Sequence, residues 1–285
     1  MNINRKYNIG GHRFEVIGEN LCDVVNRIEG FRPFEVREGI PDFLFIESVS
    51  EDVPEMVMEQ YTLEYEDVNG VFGRTEEGFR LRLTPKSGKS LDVWCNDGNQ
   101  VTYFAGNWLV LLCRFGMWVA YGLMTLSLDT LAIHSSCIVY RNKAVLFLGE
   151  SGTGKSTHTR LWREHISGTN LLNDDSPMVR VEDGKVWVYG SAWSGKTPCY
   201  KNERYELQGC VRLSQAPYNR IRKLSVLQAY GALHPSCAPE FAYDDGLYDE
   251  VSRIIGMILS AVPFYHLACL PDREAALLSF KTIFP

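Results

Sequence analysis

The sequence predicts an α+β chain in two parts: a β-rich N-terminal domain over residues 1–128 and an α/β domain over residues 129–285. Three observations carry this expectation. Residues 1–105 hold short apolar or alternating runs at 12–17, 43–48, 61–65, 79–83, 91–94 and 101–104. The turn signals Val68-Asn69-Gly70, Ser87-Gly88 and Asn96-Asp97-Gly98 separate several of them. A long apolar stretch, 108–128, closes that half, and beyond it strand-like and helix-like segments alternate.

Within the first half, residues 20–28 read as a short helix, and no repeat or catalytic constellation is present. Stretch 108–128 has the length of a membrane span, but Arg114 lies well inside it. An arginine at that depth costs about 2.5–3.5 kcal/mol on insertion scales. The expectation is a buried helix on which the two halves dock, with no membrane association. In the second half, 131–140 and 144–148 read as buried strands joined by the turn Arg141-Asn142-Lys143, and a helix follows over 155–165. Strands are expected again at 178–181, 186–189 and 264–267, and helices near 226–233, 249–262 and 273–283.

Hydrophobic residues make up 45% and charged residues 22%, the balance of a chain that folds around a core. Net charge is -6; residues 1–128 carry 12 Lys/Arg against 19 Asp/Glu, and residues 129–285 carry 17 against 16. Neither half has the basic face that a nucleic-acid backbone demands, so no nucleic-acid partner is expected. The eight cysteines stand at least eleven positions apart, which excludes Cys-x-x-Cys zinc or redox spacing. With the polar start Met1-Asn2-Ile3-Asn4-Arg5-Lys6, dispersed thiols point to a cytoplasmic protein.

Gly149-Glu150-Ser151-Gly152-Thr153-Gly154-Lys155-Ser156 satisfies the P-loop pattern G-x-x-x-x-G-K-[ST]. It follows the buried run Val145-Leu146-Phe147-Leu148 and precedes a helical pattern. In that setting the glycines let backbone N–H groups curl round phosphate oxygens, and the helix adds its positive end. Gly149, Ser151, Gly152, Thr153 and Gly154 would form the cradle, with Thr157 close behind. Lys155 would reach the β- and γ-phosphates of ATP, and the Ser156 hydroxyl would ligate Mg²⁺.

The pattern recurs at Gly190-Ser191-Ala192-Trp193-Ser194-Gly195-Lys196-Thr197. There Pro198 follows at once, no apolar helical face continues, and Trp193 leaves a phosphate cradle little room. A lookalike loop is expected, whose Lys196 can still contact phosphate or substrate.

Asp174-Asp175 supplies the two carboxylates a kinase uses, one for Mg²⁺ and one to take the acceptor's proton, although Asp-Asp-Ser-Pro is also good turn chemistry. Asp244-Asp245 reads as a loop. The six histidines show no metal-ligand spacing, and His134 alone reads as a strand residue. A guanine-reading Asn-Lys-x-Asp is missing, because Ala144-Val145 follows Asn142-Lys143; this favours ATP over GTP.

From Ala132 to about Val181 the chain resembles the HPr serine kinase/phosphorylase family, whose nucleotide-binding core is shared with phosphoenolpyruvate carboxykinases. The likeness rests on His134 fifteen positions before Gly149, on the loop Gly149–Ser156, and on the Asp174-Asp175 pair. It implies an HPr-kinase-like P-loop α/β domain over 129–285. It further implies that His134 lies near the phosphates, that Asp174 is the catalytic base, and that Asp175 helps Ser156 hold Mg²⁺. The Glu-x-Arg-Gly-type segment of HPr kinases is missing, and residues 190–197 stand in that region. The N-terminal half gives no match to that family's N-terminal domain.

The expected activity is an ATP- and Mg²⁺-dependent kinase whose acceptor is a hydroxyl of a protein, a peptide or a small molecule, rather than HPr itself. An ATPase and a non-catalytic ATP-binding scaffold need the same cradle and stay open. Hexamers occur in the family, which leaves room for a homo-oligomer.

Overall fold

The computed structural model describes residues 3–65, 67–195 and 197–285. It is a mixed α/β chain with two large sheets. Two compact units divide it: residues 1–128 with 240–248, and residues 129–239 with 249–285.

The first unit is built on β1 (Asn4–Ile9), β2 (His12–Ile17), β3 (Glu35–Val36), β4 (Phe43–Glu47), β5 (Met58–Tyr65), β6 (Val68–Arg74), β7 (Gly78–Pro85), β8 (Leu91–Asn96) and β9 (Val101–Gly106). They form one sheet in the order β3-β1-β2-β4-β9-β8-β7-β6-β5. Helix α1 (Glu19–Arg27) lies against β2 and β4, and α2 (Val110–Leu126) against β7 and β8. Gly116 brings α2 close to the sheet, since a Cβ there would sit 3.0 Å from the Val93 side chain. The apolar stretch 108–128 therefore serves as a core helix. No helix among the described residues is long and apolar enough to cross a membrane.

Residues 240–248 group with this unit, whereas the sequence assigns them to the second domain and treats Asp244-Asp245 as a plain loop. The physical reason is local. Phe241 is buried and packs on Phe72 at 6.3 Å between ring centroids, and Asp244 accepts hydrogen bonds from Arg74 at 2.7 and 3.0 Å and from Gln60 at 2.8 Å. Burial opposes ionisation of Asp244, but the bonds from Arg74 and Gln60 outweigh it and hold the carboxyl down at about 2.

The second unit holds β10 (Thr130–Ala132), β11 (Ser135–Tyr140), β12 (Lys143–Leu148), β13 (Thr169–Asp175), β14 (Met178–Glu182), β15 (Lys185–Tyr189), β16 (Arg204–Gln215), β17 (Arg220–Lys223) and β18 (Phe264–Cys269). The order is β10-β14-β15-β16-β12-β11-β13, with β18 beside β16 and β17 beside β18. The pairs β12–β16 and β16–β18 are parallel. Helices α3 (Lys155–His165), α4 (Val226–Leu233), α5 (Asp245–Ala261) and α6 (Arg273–Ile283) complete the list of longer helices.

One face of this sheet forms a core with α3 and α6, through Ile138, Phe147, Trp162, Val211, Leu213 and Leu267. Trp162 is fully buried, edge-on to Phe147 at 5.5 Å and to Phe280 at 5.6 Å, and its indole N–H donates to Ser279 Oγ at 2.9 Å. Such aromatic pairs contribute about 0.5–1.5 kcal/mol each beyond area burial. They hold α3 against β12 and α6.

Two further expectations change. Val68-Asn69-Gly70 is the start of β6 rather than a turn; Gly70 is small because Leu63 of β5 lies over it, 2.7 Å from where a Cβ would stand. The single strand expected at 131–140 is two. The N–H of Ile133 donates to Pro177 O at 3.1 Å and that of His134 to Ser236 O at 2.7 Å, which takes both residues out of the ladder.

Candidate functional site

Strand β12 ends at Leu148, α3 begins at Lys155, and the loop 149–154 bridges them. Gly152 and Gly154 have φ of +82° and +101°, a left-handed region that other residues enter at a cost of roughly 1–2 kcal/mol. A Cβ added to either would meet nothing within 4 Å, so the space in front of both is open. Inside the loop, Thr153 closes a turn by donating N–H and Oγ1–H to Glu150 O at 3.2 and 2.8 Å. Gly154 is the N-cap of α3 and offers no side-chain acceptor. The first N–H groups of the helix and its positive end therefore face the loop without a side-chain cap.

Lys155 folds back over the loop. Its ammonium donates to Gly149 O at 2.6 Å and Glu150 O at 3.2 Å and lies 3.1 Å from His134 Nε2. Burial pushes this ammonium below its ordinary pKa, and Asp175 and Asp174 pull it back up. The other ring nitrogen of His134, Nδ1, is 3.2 Å from Asp175 Oδ1. Ser156 Oγ donates to Asp174 Oδ1 at 3.0 Å. Lys155, Ser156, His134, Asp174 and Asp175, drawn from three separate stretches of the second unit, thus meet in one place.

The pairing differs from the expected one. Ser156 meets Asp174, not Asp175, and Asp175 meets His134. Alternation along β13 is the cause: successive side chains point to opposite faces, so the two carboxylates cannot both face Ser156, and Asp175 meets His134 instead. Asp174 is buried, whereas the Asp175 side chain is 34% exposed. Of the remaining loop residues, Ser151 stands exposed at the crest, and Thr153 and Thr157 are half-buried.

The second P-loop-like segment, 190–197, reaches the same aspartates by its backbone. Gly195 N donates to Asp174 O at 3.0 Å, and Ser194 forms a bridge with Asp175. Trp193 is buried, and no helix follows; residues 198–203 run irregularly into β16. Lys196 lies outside the described residues.

Two contributors have no sequence signal. Asn173, fully buried, donates to Trp193 O at 3.0 Å and Ser191 Oγ at 3.3 Å and accepts from the N–H groups of Asp175 at 3.1 Å and Ser176 at 2.9 Å. It ties the aspartate pair to the second loop. Gln215, at the end of β16, donates to Gly152 O at 3.1 Å and steadies the first loop from outside. Nothing in their spacing sets either apart from an ordinary polar residue.

Beside the loop lies a cavity of about 630 Å³ lined by Gly152, Gly154, Thr157, Leu213, Gln215 and Leu270 among others. Its size falls in the range of small-molecule sites. Chemically, the site combines a partly desolvated ammonium, a hydroxyl against a carboxylate, and a second carboxylate bridged to an imidazole. That set can hold an anion and accept a proton. Among the described residues, no group of three or more His, Cys, Asp and Glu side chains could form a metal centre by protein ligands alone.

No family model matches the sequence, and a search of curated proteins finds no relative. Among solved structures, the chain is similar to the HPr(Ser) kinase/phosphatase from Coxiella burnetii, at 12% identity over 54% of this chain and 93% of that one, with a TM-score of 0.31. A likeness of that size bears no functional weight.

Proposed function

We propose that the chain is an ATP- and Mg²⁺-dependent kinase that transfers the γ-phosphate to a hydroxyl, the acceptor being a protein, a peptide or a small molecule. The observation that carries this reading is the meeting of Lys155, Ser156, His134 and both aspartates around an open, glycine-rich strand-to-helix loop. Backbone N–H groups of 149–154, the start of α3 and Lys155 would hold the phosphates. The adjoining cavity gives the nucleoside a place to sit.

Ser156 and Asp174 suit Mg²⁺. They are hard oxygen donors already 3.0 Å apart, and this ion takes one or two protein oxygens and completes its shell with phosphate and water. When bound, the ion would supply neutralisation of the charge that develops on the transferring phosphate. This exchanges the roles expected for the two aspartates. Asp175, more exposed and bridged to His134, is then the better group to accept the hydroxyl proton, with His134 positioning it. A placed base contributes typically 10²–10⁴-fold.

The test supplies γ-labelled ATP and Mg²⁺ with extract from the source cells and tracks label into protein, small-molecule and free-phosphate fractions. Lys155→Ala should abolish transfer. Asp175→Asn should keep binding of a non-hydrolysable ATP analogue and lose turnover by at least a hundredfold, while Asp174→Asn should weaken the Mg²⁺ dependence of binding. Undiminished transfer in Asp175→Asn would remove the base assignment. Label in free phosphate alone would identify an ATPase, and analogue binding without turnover a scaffold.

A further inference from the structure

Two arginines and a histidine stand beside the loop on the other face of the sheet. Arg212 of β16 is opposite Leu148, the residue before the loop, in the β12–β16 pairing. In the next pairing Arg212 is opposite His266 of β18, and His266 is opposite Arg222 of β17. Opposite residues of neighbouring strands share a face, so Leu148, Arg212, His266 and Arg222 form one row from the loop towards the sheet edge. The nucleoside cavity uses the alternate residues Leu213 and Cys269, hence the opposite face. The row lies at the carboxyl ends of the parallel strands β12 and β16, where open α/β sheets bind ligands.

This row places two arginines on either side of His266, with little negative charge to balance them. Arg212 has loose partners: Ala232 O at 3.5 Å and the Glu150 carboxylate at 3.5 Å. The Glu150 side chain is 82% exposed and sits on the loop itself. Arg222 donates to the neutral Gln228 at 2.9 Å, and His266 pairs with Ser214 Oγ at 3.0 Å. Burial lowers the His266 pKa, and Arg222 and Arg212 lower it further. Glu150 also links the row to the reacting centre: Lys155 touches its carbonyl at 3.2 Å, and Arg212 reaches its carboxylate.

We propose that the acceptor carries an anionic group, a carboxylate or a phosphate, which Arg212 receives in place of Glu150, with Arg222 and His266 behind it. The proposal rests on the kinase reading above and names the acceptor's chemistry. An anion held there sets a neighbouring hydroxyl on the side of the loop away from the nucleoside. Arg212 thus acts in acceptor binding, and Glu150 serves as the group the acceptor displaces.

The test loads the full chain with Mg²⁺ and a non-hydrolysable ATP analogue, then titrates malonate and, separately, inorganic phosphate by calorimetry. Arg212→Gln should weaken anion binding at least tenfold, Arg222→Gln should weaken it less, and Glu150→Gln should strengthen it. Preference for malonate over phosphate would mark a carboxylate acceptor, and the reverse a phosphorylated one. Equal affinities in wild type, Arg212→Gln and Glu150→Gln, with the analogue bound, would overturn the anion site and leave the nucleotide reading intact. Failure of the analogue to bind, read separately beforehand, would remove the nucleotide reading and the acceptor role with it.

Discussion

Replacing Glu240 by glutamine should flatten the pH dependence of the first unit's stability. Glu240 is 2% exposed, and its Oε2 has no hydrogen-bond partner among the described residues. Burial raises its pKa from the ordinary 4.5 to about 7. The folded chain therefore keeps a proton that the unfolded chain has already released. Stability from this group is present at low pH and is lost as pH rises through 7. Between pH 5 and pH 8 the linkage comes to roughly 2–3 kcal/mol. At the slopes usual for urea, this moves the unfolding midpoint by roughly 1 M. The assay is urea unfolding of wild type and Glu240→Gln at both pH values, so that every other titrating group cancels in the comparison. Wild type should lose roughly 2–3 kcal/mol more than the variant on going to pH 8. Parallel pH profiles would refute the reasoning, because they would mean that water or a neighbour already solvates the carboxylate.

The second unit should show the opposite trend in acid. Burial pushes the His158 pKa down to about 4, so its contribution is present above 6.5 and is lost as pH falls towards 4. That amounts to roughly 2–3 kcal/mol between pH 7.5 and 4.5, and His158→Leu should lose that much less than wild type over this range in the same unfolding assay. Asn173→Ala should cost about 2–3 kcal/mol, since it strands several buried polar partners. If Asn173 positions Asp175, label transfer in Asn173→Ala should fall well beyond what its thermal melt explains at an assay temperature where the variant is folded.

Much of the candidate site was legible before any coordinates. The glycine, lysine and serine positions of 149–156 follow from what a curled backbone in front of a helix requires, and the apolar run before and helical pattern after set the loop between β12 and α3. Legible too was the pair Asp174-Asp175, but not which partner each would take. That depended on the pleat of β13 and on the elements beside it. Strand β16 was missed altogether. Its sequence Arg-Tyr-Glu-Leu-Gln-Gly-Cys-Val-Arg-Leu-Ser-Gln interrupts the apolar run with charge. Those charges are tolerated because distant residues meet them: Lys143 bonds Glu206 at 2.7 Å, and Tyr189 bonds Arg204 at 2.9 Å.

By itself the sequence determined the strand-rich first half, the mixed second half and the glycine-rich loop between strand and helix, since periodicity and glycine placement act over a few residues. Only the tertiary structure decided that residues 240–248 join the first unit, that Asn173 clamps the aspartates, and that Arg212, His266 and Arg222 stand in one row. These depend on strand register and on burial between segments tens of residues apart, which no local pattern encodes.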